Sequence, residues 1–92
     1  MKVKKSKPIQ DLKKGDKIKV NGKALEVDAQ YVFEEYKTTK EMLIEVFDPK
    51  AKKEGEGEYQ IRYFSDQVEN TLKLYELKSI MYEAVELKSI EW

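Results

Sequence analysis

Arg62 is the only arginine in the chain, and it stands two residues before Phe64 in the run YQIRYF, residues 59–64. Strand alternation places Tyr59, Ile61 and Tyr63 on one side and Gln60, Arg62 and Phe64 on the other. A guanidinium beside an aromatic ring can stack on an unpaired nucleic-acid base. The same pair can anchor a protein interface, where arginine and aromatic residues carry most of the binding energy. Leu43 and Phe47, with Tyr36 nearby, are expected on that outward side. A third reading makes this face a second layer of core, covered by the C-terminal segment.

A second group of candidates lies at the start. Residues 1–23 hold nine lysines against Asp11 and Asp16, a net of +7, and residues 24–92 carry −7. Lys2, Lys4, Lys5, Lys7, Lys13 and Lys14 could contact phosphates or an acidic partner; the plain alternative is a solvated arm. The −7 balance of the remainder repels a nucleic-acid backbone wherever the basic face is not in contact.

Enzyme chemistry finds little support. The sequence has no His and no Cys, which removes the usual zinc, haem and triad arrangements. Ser6, Ser65, Ser79 and Ser89 therefore lack a histidine base. Glu34 and Glu35 are adjacent, so on a strand they point to opposite faces rather than into one pocket. Glu54, Glu56 and Glu58 read as a flexible acidic loop, not a cation site. The expectation is a non-enzymatic binding module with no metal and no cofactor.

The elements that position these residues are strands. Asn21-Gly22 between two alternating apolar runs is the strongest short hairpin signal, because both residues tolerate the positive φ of a type I′ turn. It pairs Val20 with Lys23, Ile18 with Leu25 and Lys17 with Glu26. Gly15-Asp16 marks the turn before it. The second strand continues to Tyr36 with Val27, Ala29, Tyr31 and Phe33 facing inward. A four-residue loop, Lys37 to Lys40, leads to a strand over 41–47 in which Ile44 opposes Phe33 and Val46 opposes Tyr31. Asp48-Pro49 ends that strand, and a charged loop over 50–58 precedes the strand bearing Arg62.

The C-terminal segment repeats Leu77-Lys78-Ser79-Ile80 as Leu87-Lys88-Ser89-Ile90. It reads as two strands with bulges, the alternative being one helix from Leu74 to Leu87 laid over the sheet in an α+β fold. The expected architecture is all-β: a small barrel of five or six mainly antiparallel strands over residues 9–92, after a loose basic arm at 1–8. Its core is Ile18, Val20, Leu25, Val27, Tyr31, Phe33, Ile44, Val46 and Ile61.

Seventeen of the 18 basic residues are Lys and 13 of the 18 acidic ones are Glu, a balance typical of hyperthermophile proteins. No apolar run reaches the roughly 20 residues of a membrane span, and the basic start lacks an apolar signal core, so the expected location is the cytoplasm.

The order LKKGDKIKVNGKALEV, long strand, short polar loop, strand, charged glycine loop and further strand resembles the N-terminal SH3-like barrel of elongation factor P and of its archaeal relative, the hypusine-carrying initiation factor. The resemblance covers Leu12 to Leu74 and implies an SH3-like barrel and an RNA- or ribosome-associated, translation-type role. In that family the loop after the second long strand carries a modified lysine in a Pro-Gly-Lys-Gly type tip. Here the loop is Tyr36-Lys37-Thr38-Thr39-Lys40, without glycine or proline, so the modification does not carry over. The leading expectation is therefore a protein-interaction module, binding a partner or a second copy of itself, with RNA binding as the alternative.

Overall fold

A computed structural model describes residues 1–53 and 55–92. Among them eight strands form one curled sheet: β1 (Lys2–Lys4), β2 (Lys17–Val20), β3 (Lys23–Glu35), β4 (Lys40–Phe47), β5 (Glu58–Phe64), β6 (Lys73–Lys78), β7 (Met81–Val85) and β8 (Ser89–Glu91). The spatial order is β1-β8-β2-β3-β4-β5-β6-β7. A 3-10 turn at Ile9–Asp11 and one helical turn, α1 (Val68–Thr71), complete the chain. The fold is all-β and barrel-like, with more strands than the five or six expected. No described helix is long and apolar enough to cross a membrane.

The β2–β3 hairpin has the register its turn dictates: Val20 opposes Lys23, Ile18 opposes Leu25 and Lys17 opposes Glu26. Asn21 and Gly22 adopt φ of 51° and 81°, the left-handed region the turn requires. Lys17 and Glu26 form an ion pair across the two strands. The preceding turn is closed by the Asp16 N–H donating to the Lys13 carbonyl (3.0 Å). The Asp16 carboxylate accepts from the Lys13 N–H and from Lys7 Nζ, both 2.9 Å. The Lys13 amide first, then Lys7, hold the Asp16 carboxyl below the usual range.

Strand β3 departs from the expected register. Val46 opposes Val27 rather than Tyr31, and Ile44 opposes Gln30 rather than Phe33, with irregularities between Val27 and Ala29 and between Val32 and Glu34. Each leaves one β3 residue unpaired, and an extra residue reverses the side-chain alternation. Gln30 consequently turns inward. Its Oε1 accepts from the Tyr63 hydroxyl, and its Nε2 donates to the carbonyls of Leu12 (2.8 Å) and Ile9 (3.1 Å). One amide thus fixes the 3-10 turn against the core and satisfies a buried phenol. Tyr31 and Phe33, expected in the core, turn outward and are 44% and 48% exposed.

The rest of the expected core is buried: Ile18, Val20, Leu25, Val27, Ile44, Val46 and Ile61. Ile9, Leu12, Tyr63, Leu72, Leu74, Ile90 and Trp92 join them. The C-terminal segment supplies three strands where two were expected, and no helix. Leu74 opposes Val85 across the β6–β7 hairpin, whose two-residue turn is Ser79-Ile80. The repeated tetrapeptide has two fates. Ile80 sits in that turn, 92% exposed, whereas Ile90 in β8 is 2% exposed.

The start of the chain is also corrected. Lys2–Lys4 is a strand rather than a loose arm, running parallel to β8. Lys2 N–H donates to Lys88 O (3.0 Å), Trp92 N–H to Lys4 O (3.0 Å) and Ser6 N–H to Trp92 O (2.8 Å). Residues 1–8 therefore belong to the folded domain.

Candidate functional site

The outer face of the sheet carries the densest group of recognition-type side chains. Cross-strand pairing lines up Tyr31, Leu43, Arg62 and Lys73 in one row, and Glu45, Gln60, Tyr75 and Ala84 in the next. Phe33 stands at the second β3 irregularity and joins this side. The Arg62 guanidinium lies 4.6 Å from the Phe33 ring centroid and 4.2 Å from that of Tyr75. Gln60 Oε1 accepts from Arg62 Nη2 (2.8 Å) and Nε (3.2 Å). The cation is therefore held by two rings and one amide, which fixes its orientation before any ligand arrives. Each ring contact contributes about 0.5–1 kcal/mol at such a half-exposed site.

Leu43 lies in the same row and is 1% exposed. It is the floor of the group and not a contact residue, which corrects its expected role. Tyr31 and Phe33 present close to half of their surface to solvent. Carboxylates frame the patch: Glu41 and Glu45 on β4 and Glu58 on β5 share the outer face through their pairings with Phe64, Gln60 and Phe47. Partial burial, then the Glu45 carboxylate, push the Tyr31 phenol up. Burial, then Glu58 and Glu45, do the same at Tyr82. These phenols stay neutral donors, and the local field disfavours an anionic ligand.

Of the residues the sequence singled out, Arg62 and Phe64 do share the outward side, and Tyr36 packs on Phe64 with ring centroids 5.8 Å apart. Phe47 is half-buried and four residues along β4 from Leu43, about 14 Å away at strand spacing, so it lies outside the Arg62 group. Phe33, Tyr31 and Tyr75 were missed. Alternation placed the first two in the core, and Tyr75 became a neighbour only through the β5–β6 pairing.

The lysines form a separate set. Lys2 and Lys4 lie on β1, which four strands separate from β5 in the sheet order. Lys5 pairs with Glu69 of α1 at 2.8 Å, and Lys7 pairs with Asp16 at 2.9 Å. Lys7 also offers its carbonyl to Trp92 Nε1 (2.7 Å). Lys13 serves the turn through its amide, and Lys14 is exposed beside it. The structure does not bring the basic residues and the Arg62 group into one surface. Glu54 of the acidic run lies outside the described residues.

A scan against family models finds no match, and searches of curated proteins and of solved structures find none either.

Proposed function

We infer that this chain is a non-enzymatic protein-binding module whose contact surface is the outer face around Arg62. The observation that carries the reading is the guanidinium held between Phe33 and Tyr75 above the buried Leu43. A rigid arginine flanked by half-exposed aromatics is the composition of an interface hot spot. Its order is set in advance, so binding costs little side-chain entropy. The partner is a folded protein surface or a second copy of this chain that offers apolar side chains to Tyr31 and Phe33.

RNA is the weaker reading. Base stacking needs open ring faces, and the guanidinium already occupies one face of Phe33 and of Tyr75. Glu41, Glu45 and Glu58 on the same side repel phosphates, and the lysines that would bind them sit across the sheet. The translation-type role rests on the resemblance of the β2–β3 region and on strand order alone, and fold likeness does not fix function.

The test is affinity capture from nuclease-treated cell extract, comparing wild type with a Phe33→Ala, Arg62→Ala double variant. A specific polypeptide retained by the wild type and lost by the double variant is the expected result. Recovery that disappears with nuclease, or that the double variant leaves unchanged, would overturn the reading. Thermal unfolding of both proteins in parallel separates a lost contact from a lost fold.

A further inference from the structure

A second surface lies at the other end of the sheet. A groove of about 590 Å³ opens across β1, β8, β2 and the start of β3. Lys4, Lys5, Lys17 and Lys19 line it. Its floor is mostly apolar, made by Ala24, the edge of Trp92 and the stems of the lysines, over the buried Ile18. Lys5 and Lys17 are paired with Glu69 and Glu26, whereas Lys4 and Lys19 make no ion pair among the described residues. Both lie in register with Glu91, one on each side of it.

We propose that this groove binds an extended acidic peptide segment that carries apolar side chains between its carboxylates. Four lysines against the single carboxylate of Glu91 in the lining supply the charge complementarity. The apolar floor decides between peptide and nucleic acid. Ala24, the lysine stems and the narrow exposed edge of Trp92 gain from covering by apolar side chains, which a sugar–phosphate chain does not offer. Trp92 is 8% exposed with its Nε1 bonded to Lys7, so it offers no open ring for base stacking. Glu91 interrupts the lysines, which breaks a phosphate track but leaves room for separated carboxylates.

Trp92 is the only tryptophan in the chain, so its emission reports directly on the groove. The probe is a blocked Glu-Leu-Glu-Glu-Leu-Glu peptide. It is compared with hexaglutamate, with the same sequence carrying Gln for Glu, and with a mixed single-stranded RNA. The expected result is a saturable change in Trp92 emission with the amphipathic peptide and at least tenfold weaker responses to the others. A Lys4→Gln, Lys19→Gln double variant should bind about three- to tenfold more weakly, as two exposed charge pairs allow. Ala24→Glu, which places a carboxylate on the floor, should abolish the response, while Arg62→Ala should leave it unchanged. Equal or tighter binding of hexaglutamate or RNA, no response at millimolar peptide, or indifference to both groove variants would overturn the proposal.

Discussion

Replacing Asn21 by glycine separates two jobs that this residue performs. Its backbone forms the β2–β3 turn at φ 51°, a conformation glycine adopts freely. Its side chain does something else. Nδ2 donates to Glu86 O (2.9 Å), and Oδ1 accepts from Lys88 N–H (2.7 Å) and Ser89 N–H (3.2 Å). These three bonds pin the link between β7 and β8, so a turn residue near the start fixes the last strand. The sites are exposed and water replaces the lost partners, so each bond is worth the low end of the usual range, about 0.5 kcal/mol. Asn21→Gly should therefore cost about 1.5 kcal/mol. For a domain of this size that lowers Tm by about 6–12 °C. Urea and thermal unfolding measure the loss. Amide exchange locates it: Lys88 and Ser89 should exchange faster, while Ile18 and Leu25 in the hairpin keep their protection. A loss below about 0.3 kcal/mol with unchanged exchange at Lys88 and Ser89 would refute the assignment.

Three further outcomes follow from the core. Burial pushes the Tyr63 phenol up to about 12 from its ordinary 10.0. The fold thus favours the neutral form. The stability this gives is intact below pH 10 and lost as pH rises to 12, on the order of 2–3 kcal/mol in all; Tyr63→Phe should remove that part of the pH dependence, and an identical alkaline slope in both proteins would contradict it. Gln30→Leu strands the Tyr63 hydroxyl and takes the side-chain donor from the Leu12 and Ile9 carbonyls, of which Ile9 keeps the Leu12 N–H, and should cost about 2–4 kcal/mol by urea unfolding; a cost under about 0.5 kcal/mol would show that the network is dispensable. Ile80→Lys should change stability by less than about 0.5 kcal/mol, whereas Ile90→Ala should cost about 2–5 kcal/mol; equal effects would deny the two copies of the repeat their different environments.

The hairpin was legible because its signal is local: Asn21-Gly22 specifies a turn, and the turn specifies the register. The inward set of β5 was legible from alternation alone, and Ile61 and Tyr63 are buried as that pattern implies. The β3 irregularities left no local mark. Nothing near Asp28 or Phe33 announces an extra residue, because its placement answers to what packs on both faces. Gln30 must reach Tyr63, a partner 33 residues away. That single slip hid the candidate site, since it carried Tyr31 and Phe33 from the expected core to the outside. Tyr75 reaches Arg62 only through the pairing of Gln60 with Tyr75. The two copies of Leu-Lys-Ser-Ile show the same limit, for tertiary context gives identical residues a turn in one place and a strand in the other.

The proposed contact of the Arg62 face with protein has a direct test. Phe33 is the face's most exposed aromatic in direct contact with the guanidinium, so a photoreactive phenylalanine analogue at position 33 is the direct probe. Illumination in the cell, followed by mass spectrometry of the adducts, reads what touches the face. Cross-links to polypeptide, this chain or another, that vanish when Arg62→Ala is added are the expected result. Cross-links to RNA, or adducts indifferent to Arg62→Ala, would contradict it.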